Sequence, residues 1–104
     1  EWEGVYFWAS TYNNFEGNMI RNNSFGNANQ FAEIILDGNS THNTLIGNKS
    51  YDDQIVPTQR YGIREAGVGD NWNLITNNVA VDNITAEISS QGPNSIVDNN
   101  ITGP

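Results

Sequence analysis

Arg64 and Glu65 stand side by side in this 104-residue chain, and a guanidinium next to a carboxylate is the first pairing that invites chemistry. Glu65 with Asp37 is also a candidate pair for hydrolysis, which needs two carboxyls flanking a scissile bond at a defined separation. Arg64, Glu65 and Asp37 are therefore the candidate catalytic residues. Asp52-Asp53 is a second acidic pair, in a long turn that holds Pro57. Its ordinary reading is a solvated loop pair, and its functional one a weak Ca²⁺ site. Gly67-Val68-Gly69-Asp70-Asn71 looks like half of a calcium-binding glycine-rich repeat, but such sites need the motif iterated and it occurs once, so an ordinary turn is expected. With one histidine, His42, and no cysteine, the conventional ligands of a transition-metal site are missing. No resident metal or other cofactor is expected beyond that weak Ca²⁺ option.

The elements that must position these groups follow from a repeat. Asn18-Met19-Ile20-Arg21-Asn22, Thr44-Leu45-Ile46-Gly47-Asn48, Asn73-Leu74-Ile75-Thr76-Asn77 and Ser95-Ile96-Val97-Asp98-Asn99 each carry two adjacent apolar residues, one further residue and then Asn. Asn22, Asn48, Asn77 and Asn99 are 26, 29 and 22 residues apart, a spacing typical of stacked repeats. A second series runs in phase: Gly4-Val5, Glu33-Ile34, Gly62-Ile63 and Glu87-Ile88. These apolar runs are too short for helices and rich in β-branched residues, and no sustained i, i+3, i+4 pattern occurs, so the expectation is an all-β chain of short strands.

Asparagine tolerates the left-handed backbone at a bend, and its amide both donates and accepts hydrogen bonds. Asn22, Asn48, Asn77 and Asn99 are accordingly expected to stack as a ladder at one bend of successive coils. Such a ladder would use the 18 asparagines of the chain in a way that a sandwich would not.

Strand alternation then assigns the faces. With Val5, Ile34, Ile63 and Ile88 inward, Tyr6, Ile35, Arg64 and Ser89 point outward, as do Trp8, Asp37, Ala66 and Gln91, and Trp2 shares their parity. Flat aromatic rings beside a carboxylate and a guanidinium suit sugar rings, whose C–H faces pack on the aromatics while hydroxyls bond to the charged groups. Trp2, Tyr6, Trp8, Asp37 and Arg64 are the candidate ligand-binding residues, with packing under a preceding coil as the structural alternative for the aromatics. Glu65 falls inward, where an unpaired carboxylate costs several kcal/mol. Either the strand bulges near Gly67 or Glu65 is functional.

The pattern resembles the right-handed parallel β-helix repeats of the pectate-lyase-like superfamily, including its copper-processing periplasmic members and alginate epimerases. The resemblance rests on Asn73-Leu74-Ile75-Thr76-Asn77-Asn78, His42-Asn43-Thr44-Leu45-Ile46-Gly47-Asn48 and Tyr61-Gly62-Ile63. It implies a right-handed parallel β-helix, a solenoid of about four coils with Asn-rich turns, as a single domain over residues 1–104. It also implies an extracellular, cell-surface or virion location. Activity does not come with the scaffold: the Asp-Pro-His signature of alginate epimerases is absent, because none of Pro57, Pro93 and Pro104 precedes a His.

Composition narrows the partners. A formal charge of −8 with four dispersed cations, Arg21, Lys49, Arg60 and Arg64, argues against nucleic acid, whose phosphates need clustered Lys or Arg. No apolar run reaches membrane-spanning length. Without evident capping segments, the domain is expected to be a piece of a longer solenoid or a unit that stacks end to end. The leading expectation is a carbohydrate-binding module of a polysaccharide-acting protein or a surface or phage adhesin. The alternatives are a structural module of a filament, and a polysaccharide lyase, epimerase or hydrolase.

Overall fold

Isolated apolar residues between polar neighbours, as in Asn14-Phe15-Glu16, can bury one side chain and leave two in water, which is the requirement of a three-residue strand. The computed structural model describes residues 3–24 and 28–102 and, within them, contains strands and no helix. The strands are β1 (Val5–Trp8), β2 (Asn14–Glu16), β3 (Met19–Arg21), β4 (Ala32–Asp37), β5 (Thr44–Ile46), β6 (Lys49–Tyr51), β7 (Tyr61–Glu65), β8 (Leu74–Thr76), β9 (Val79–Val81), β10 (Ala86–Ser89) and β11 (Ile96–Asp98). They form three open sheets in the orders β1-β4-β7-β10, β2-β5-β8-β11 and β3-β6-β9. Every pairing is parallel. The chain visits the first, second and third sheets in turn and begins again.

In the first sheet Val5, Ile34, Ile63 and Ile88 lie in one row, the register expected from the sequence. The preceding row is Gly4, Glu33, Gly62 and Glu87. Glycine and glutamate alternate there because there is no room for more: a Cβ on Gly62 would lie 2.7 Å from the Glu87 carbonyl oxygen. Ile34, Leu36 and Ile63 from this sheet, with Leu45 and Ile75 from the second, form the fully buried core. Each such side chain contributes about 1.5–3 kcal/mol by leaving water.

The second sheet corrects the asparagine ladder. Phe15, Leu45, Ile75 and Val97 share a row, so the offsets between its first three strands are 30 residues. The row that follows the strands is Asn18, Asn48, Asn78 and Asn100. Asn18 donates from its backbone N–H (3.0 Å) and Nδ2 (3.2 Å) to Asn48 Oδ1, Asn48 likewise to Asn78 (2.9 and 3.1 Å), and Asn78 to Asn100 (2.8 and 3.1 Å). A parallel ladder runs Asn13, Asn43, Asn73 and ends on Ser95. Of the expected set, only Asn48 belongs to a ladder of this kind. Asn77 and Asn99 occupy the preceding, exposed position, with φ of 54° and 53°, in the row of Gly17 and Gly47. Asn22, also left-handed at 57°, bonds Asp53 near the third sheet. The bend and the ladder are thus the work of successive residues: a left-handed residue turns the chain, and the next side chain points inward and bonds to the neighbouring strands.

Candidate functional site

The outer face of the first sheet carries most of the expected binding residues. Tyr6 pairs in register with Ile35 and, one strand on, Arg64; Trp8 pairs with Asp37. Tyr6 and Trp8 are about half and nearly two-thirds exposed, with ring centroids 6.2 Å apart and planes at 49°. The Tyr6 hydroxyl donates to Asp37 Oδ2 at 2.6 Å, and the Gly38 amide donates to Asp37 Oδ1 at 2.8 Å. That bond to Asp37, with burial and the nearby negative charge, pushes the Tyr6 phenol up to about 12. Trp8 lies against Gly38, whose φ is +66° and on which a Cβ would stand 3.0 Å from the indole. The indole therefore packs against the Gly38 backbone while the residue stays nearly two-thirds exposed. Trp2 lies outside the described residues.

Arg64 is half-buried and its guanidinium sits 5.1 Å from the Tyr61 ring centroid, with Arg60 at 4.9 Å from the same ring. Such cation–π contacts are worth roughly 0.5–1 kcal/mol at exposed positions. Ile35, expected on the surface, is buried with Tyr61 and Ala32 in a small apolar cluster on the outer side of the sheet.

Glu65 is inward and fully buried, in register with Leu36 and without a bulge. Its Oε1 accepts from the Ser90 hydroxyl and the Gly92 amide (3.1 Å). Its Oε2 accepts from Asn73 Nδ2 (2.8 Å) and the Ser95 hydroxyl (2.5 Å). The reason is local. Where the ladder ends on Ser95, the amide of Asn73 has no further asparagine to donate to, and Glu65 supplies the acceptor. Arg64 and Glu65 thus face opposite sides of the sheet, as do Asp37 and Glu65. Neither pair can flank one bond, which removes the geometric basis for reading Asp37, Arg64 and Glu65 as a catalytic set.

The acidic turn is also committed to structure. Asp52 is buried and accepts from the amides of Gln54, Thr58 and Gln59 and from Gln54 Nε2. Burial raises its carboxyl, but these bonds, led by the Gln59 and Thr58 amides, outweigh burial and hold it below the usual range. Asp53 is exposed and pairs with Arg21 at 3.0 Å. Asp70, which closes the glycine-rich segment, accepts from the amides of Ser40 (2.8 Å) and Gly67 (3.0 Å). Among the described residues no three His, Asp or Glu side chains converge as metal ligands, and no helix is long and apolar enough to cross a membrane.

One feature escaped the sequence reading. Tyr12, His42 and Trp72 project from the corner between the first two sheets, each with left-handed backbone (φ 57°, 58° and 58°). Their rings stack, Tyr12 on His42 at 4.9 Å and 18°, His42 on Trp72 at 6.2 Å and 7°. The signal was present: Ser10-Thr11-Tyr12-Asn13 and Ser40-Thr41-His42-Asn43 differ in one position at a 30-residue offset. Left-handed backbone at bulky residues is uncommon and costs on the order of 1–3 kcal/mol each. The stacking and the ladder bonds of the following asparagines hold it in place. No protein-family model, curated protein or solved structure matches this chain, so the site rests on its own geometry.

Proposed function

We propose that this chain is a carbohydrate-binding module of right-handed parallel β-helix form, similar to pectate-lyase-like repeats, which takes a polysaccharide on the outer face of the first sheet. Three parallel sheets visited in strict rotation, with inward asparagine ladders at the bends, support the architecture. The observation that carries the function is the pair of exposed rings, Tyr6 and Trp8, next to a carboxylate oriented by the Tyr6 hydroxyl.

Packed against Gly38, the exposed Trp8 indole is preordered, so little side-chain entropy is lost when a sugar ring packs on it. Asp37 lies in register beside it and accepts hydrogen bonds from sugar hydroxyls at the edge of that platform. Arg64, two strands from Tyr6 and so about 10 Å away, extends the polar surface across roughly two sugar rings. Such a module fits an exported, cell-surface or virion setting, where polysaccharides are met.

The test is retention on gels containing immobilised polysaccharides, alginate and pectin among them. Trp8→Ala should weaken binding about tenfold or more, equivalent to about 1.4 kcal/mol, without altering the circular dichroism of the fold. Equal retention of Trp8→Ala and the parent on every polysaccharide that the parent binds would reject the site.

A further inference from the structure

Two of the four basic side chains of this acidic chain meet on one ring. Arg60 and Arg64 hold their guanidinium carbons 4.9 and 5.1 Å from the centroid of Tyr61, although the chain as a whole carries a formal charge of −8. Tyr61 is itself fixed: it is buried with Ala32 and Ile35 in the apolar cluster on the outer side of the first sheet, with Ala66 and Ala86 packed against that cluster. A ring so held preorders the two side chains that lie over it. A guanidinium resting on an aromatic face still has its N–H groups, which lie in its own plane, available to acceptors.

Neither cation is neutralised, although carboxylates outnumber basic side chains three to one. Among the described residues Arg21 has Asp53 at 3.0 Å, whereas the guanidiniums of Arg60 and Arg64 have no ion pair and donate no hydrogen bond. The Nε of Arg60 is buried without an acceptor, and the Tyr61 hydroxyl has no partner among the described residues either. The carboxylates closest in the sheet are engaged elsewhere: Asp37 is bound by the Tyr6 hydroxyl and the Gly38 amide, and Glu65 is buried on the opposite side. Two uncompensated guanidiniums on one ring repel each other, and an anion from outside the chain removes that repulsion.

The geometry points to an oxyanion subsite at Arg60, Tyr61 and Arg64 that takes a tetrahedral ester, sulfate or phosphate, carried by the polysaccharide. The inference rests on the polysaccharide reading of the first sheet and adds the charge of the ligand to it. A carboxylate, with two oxygens, is satisfied by one guanidinium fork. A tetrahedral ester keeps three terminal oxygens and can accept from two guanidiniums and a hydroxyl together. Arg64 stands in the row of Tyr6 and Ile35, two strands from Tyr6, so the ester belongs on a sugar about two rings from the one that packs on Trp8. The net charge of the chain repels a polyanion in general, so such a ligand is admitted only where these two cations stand.

Retention on gels of a single glucan in four forms tests this: dextran, carboxymethyl-dextran, dextran sulfate and dextran phosphate, in low salt and in roughly 1 M salt, where the Debye length is about 3 Å. The expected result is retention on one of the two ester gels about tenfold stronger than on carboxymethyl-dextran and lost in high salt, and the gel that retains it names the ester. Arg64→Gln should abolish that preference, and Arg64→Lys should recover little of it, because a point charge does not replace the fork. Lys49→Gln, which removes a cation from the third sheet, should change nothing. A parent held no better by either ester than by the carboxymethyl gel overturns the proposal, as does a loss in Lys49→Gln equal to that in Arg64→Gln, which would mean diffuse attraction. Trp8→Ala separates the two readings. If it binds the ester gels as the parent does while Arg64→Gln does not, the oxyanion subsite stands without the aromatic platform; in the reverse case the platform stands and the subsite falls. Arg60→Gln should behave as Arg64→Gln does, and should circular dichroism show it unfolded, Arg64→Gln alone decides.

Discussion

Asn48 and Asn77 look alike in the sequence, yet the structure gives them unequal work. The side chain of Asn48 makes four hydrogen bonds: it accepts from the Asn18 N–H and Nδ2, and donates to the Phe15 carbonyl (2.8 Å) and to Asn78 Oδ1 (3.1 Å). It is fully buried, so water cannot replace any of them after Asn48→Ala. At about 1 kcal/mol net for each bond, with the Phe15 carbonyl losing this partner, the loss is about 4 kcal/mol. A domain has only about 5–15 kcal/mol to lose.

Asn77 is exposed, and its side chain accepts one bond, from Asn99 Nδ2. Asn77→Ala should cost about 1 kcal/mol, chiefly for alanine at φ 54°. Urea unfolding followed by circular dichroism reads both. With a slope of about 2 kcal/mol per molar, Asn48→Ala should lower the midpoint by about 2 M and Asn77→Ala by about 0.5 M. Equal shifts in the two variants would refute the assignment of the ladder and restore Asn77 to it.

Glu65→Gln keeps the volume but turns a donor toward groups that themselves donate, and should cost about 2–3 kcal/mol in the same assay while leaving polysaccharide retention unchanged; a variant of parental stability would mean the carboxylate is not the end of the ladder. Gly62→Ala should destabilise by about 1–3 kcal/mol, because its methyl meets the Glu87 carbonyl, and a neutral result would show the alternating row to be slack. The pH dependence is led by Glu33, buried beside Asn23, whose carboxyl burial pushes up to about 7 against the opposing hydrogen bonds from Asn23, and Glu87, which burial also raises against the hydrogen bonds from Asn83, adds to it in the same direction. A raised carboxyl means that the folded chain binds more protons than the unfolded one, so the Glu33 contribution falls as pH rises from about 4.5 to about 7. After allowance for residual solvent access the change is about 2–3 kcal/mol. Glu33→Gln should flatten that part of the stability profile, and an unchanged profile would place the titration elsewhere.

The first sheet was legible and the second was misread, for one physical reason. In Glu33-Ile34 and Gly62-Ile63 the inward isoleucine is fixed relative to neighbours of a different kind, and its row is the one observed. In Leu45-Ile46, Leu74-Ile75 and Ile96-Val97 both members of the pair are apolar. With a side-chain period of two, aligning the pairs themselves slips the register by one residue. Leu45 in fact lies opposite Ile75 and Val97, which moves the ladder from Asn77 and Asn99 to Asn78 and Asn100. Met19-Ile20 mimics the first repeat because Phe15 lacks an apolar neighbour, although it is Phe15 that pairs with Leu45. Inward-facing Glu65 was anticipated, but its role was not, since the groups it satisfies at Asn73, Ser90 and Ser95 are 8 to 30 residues away.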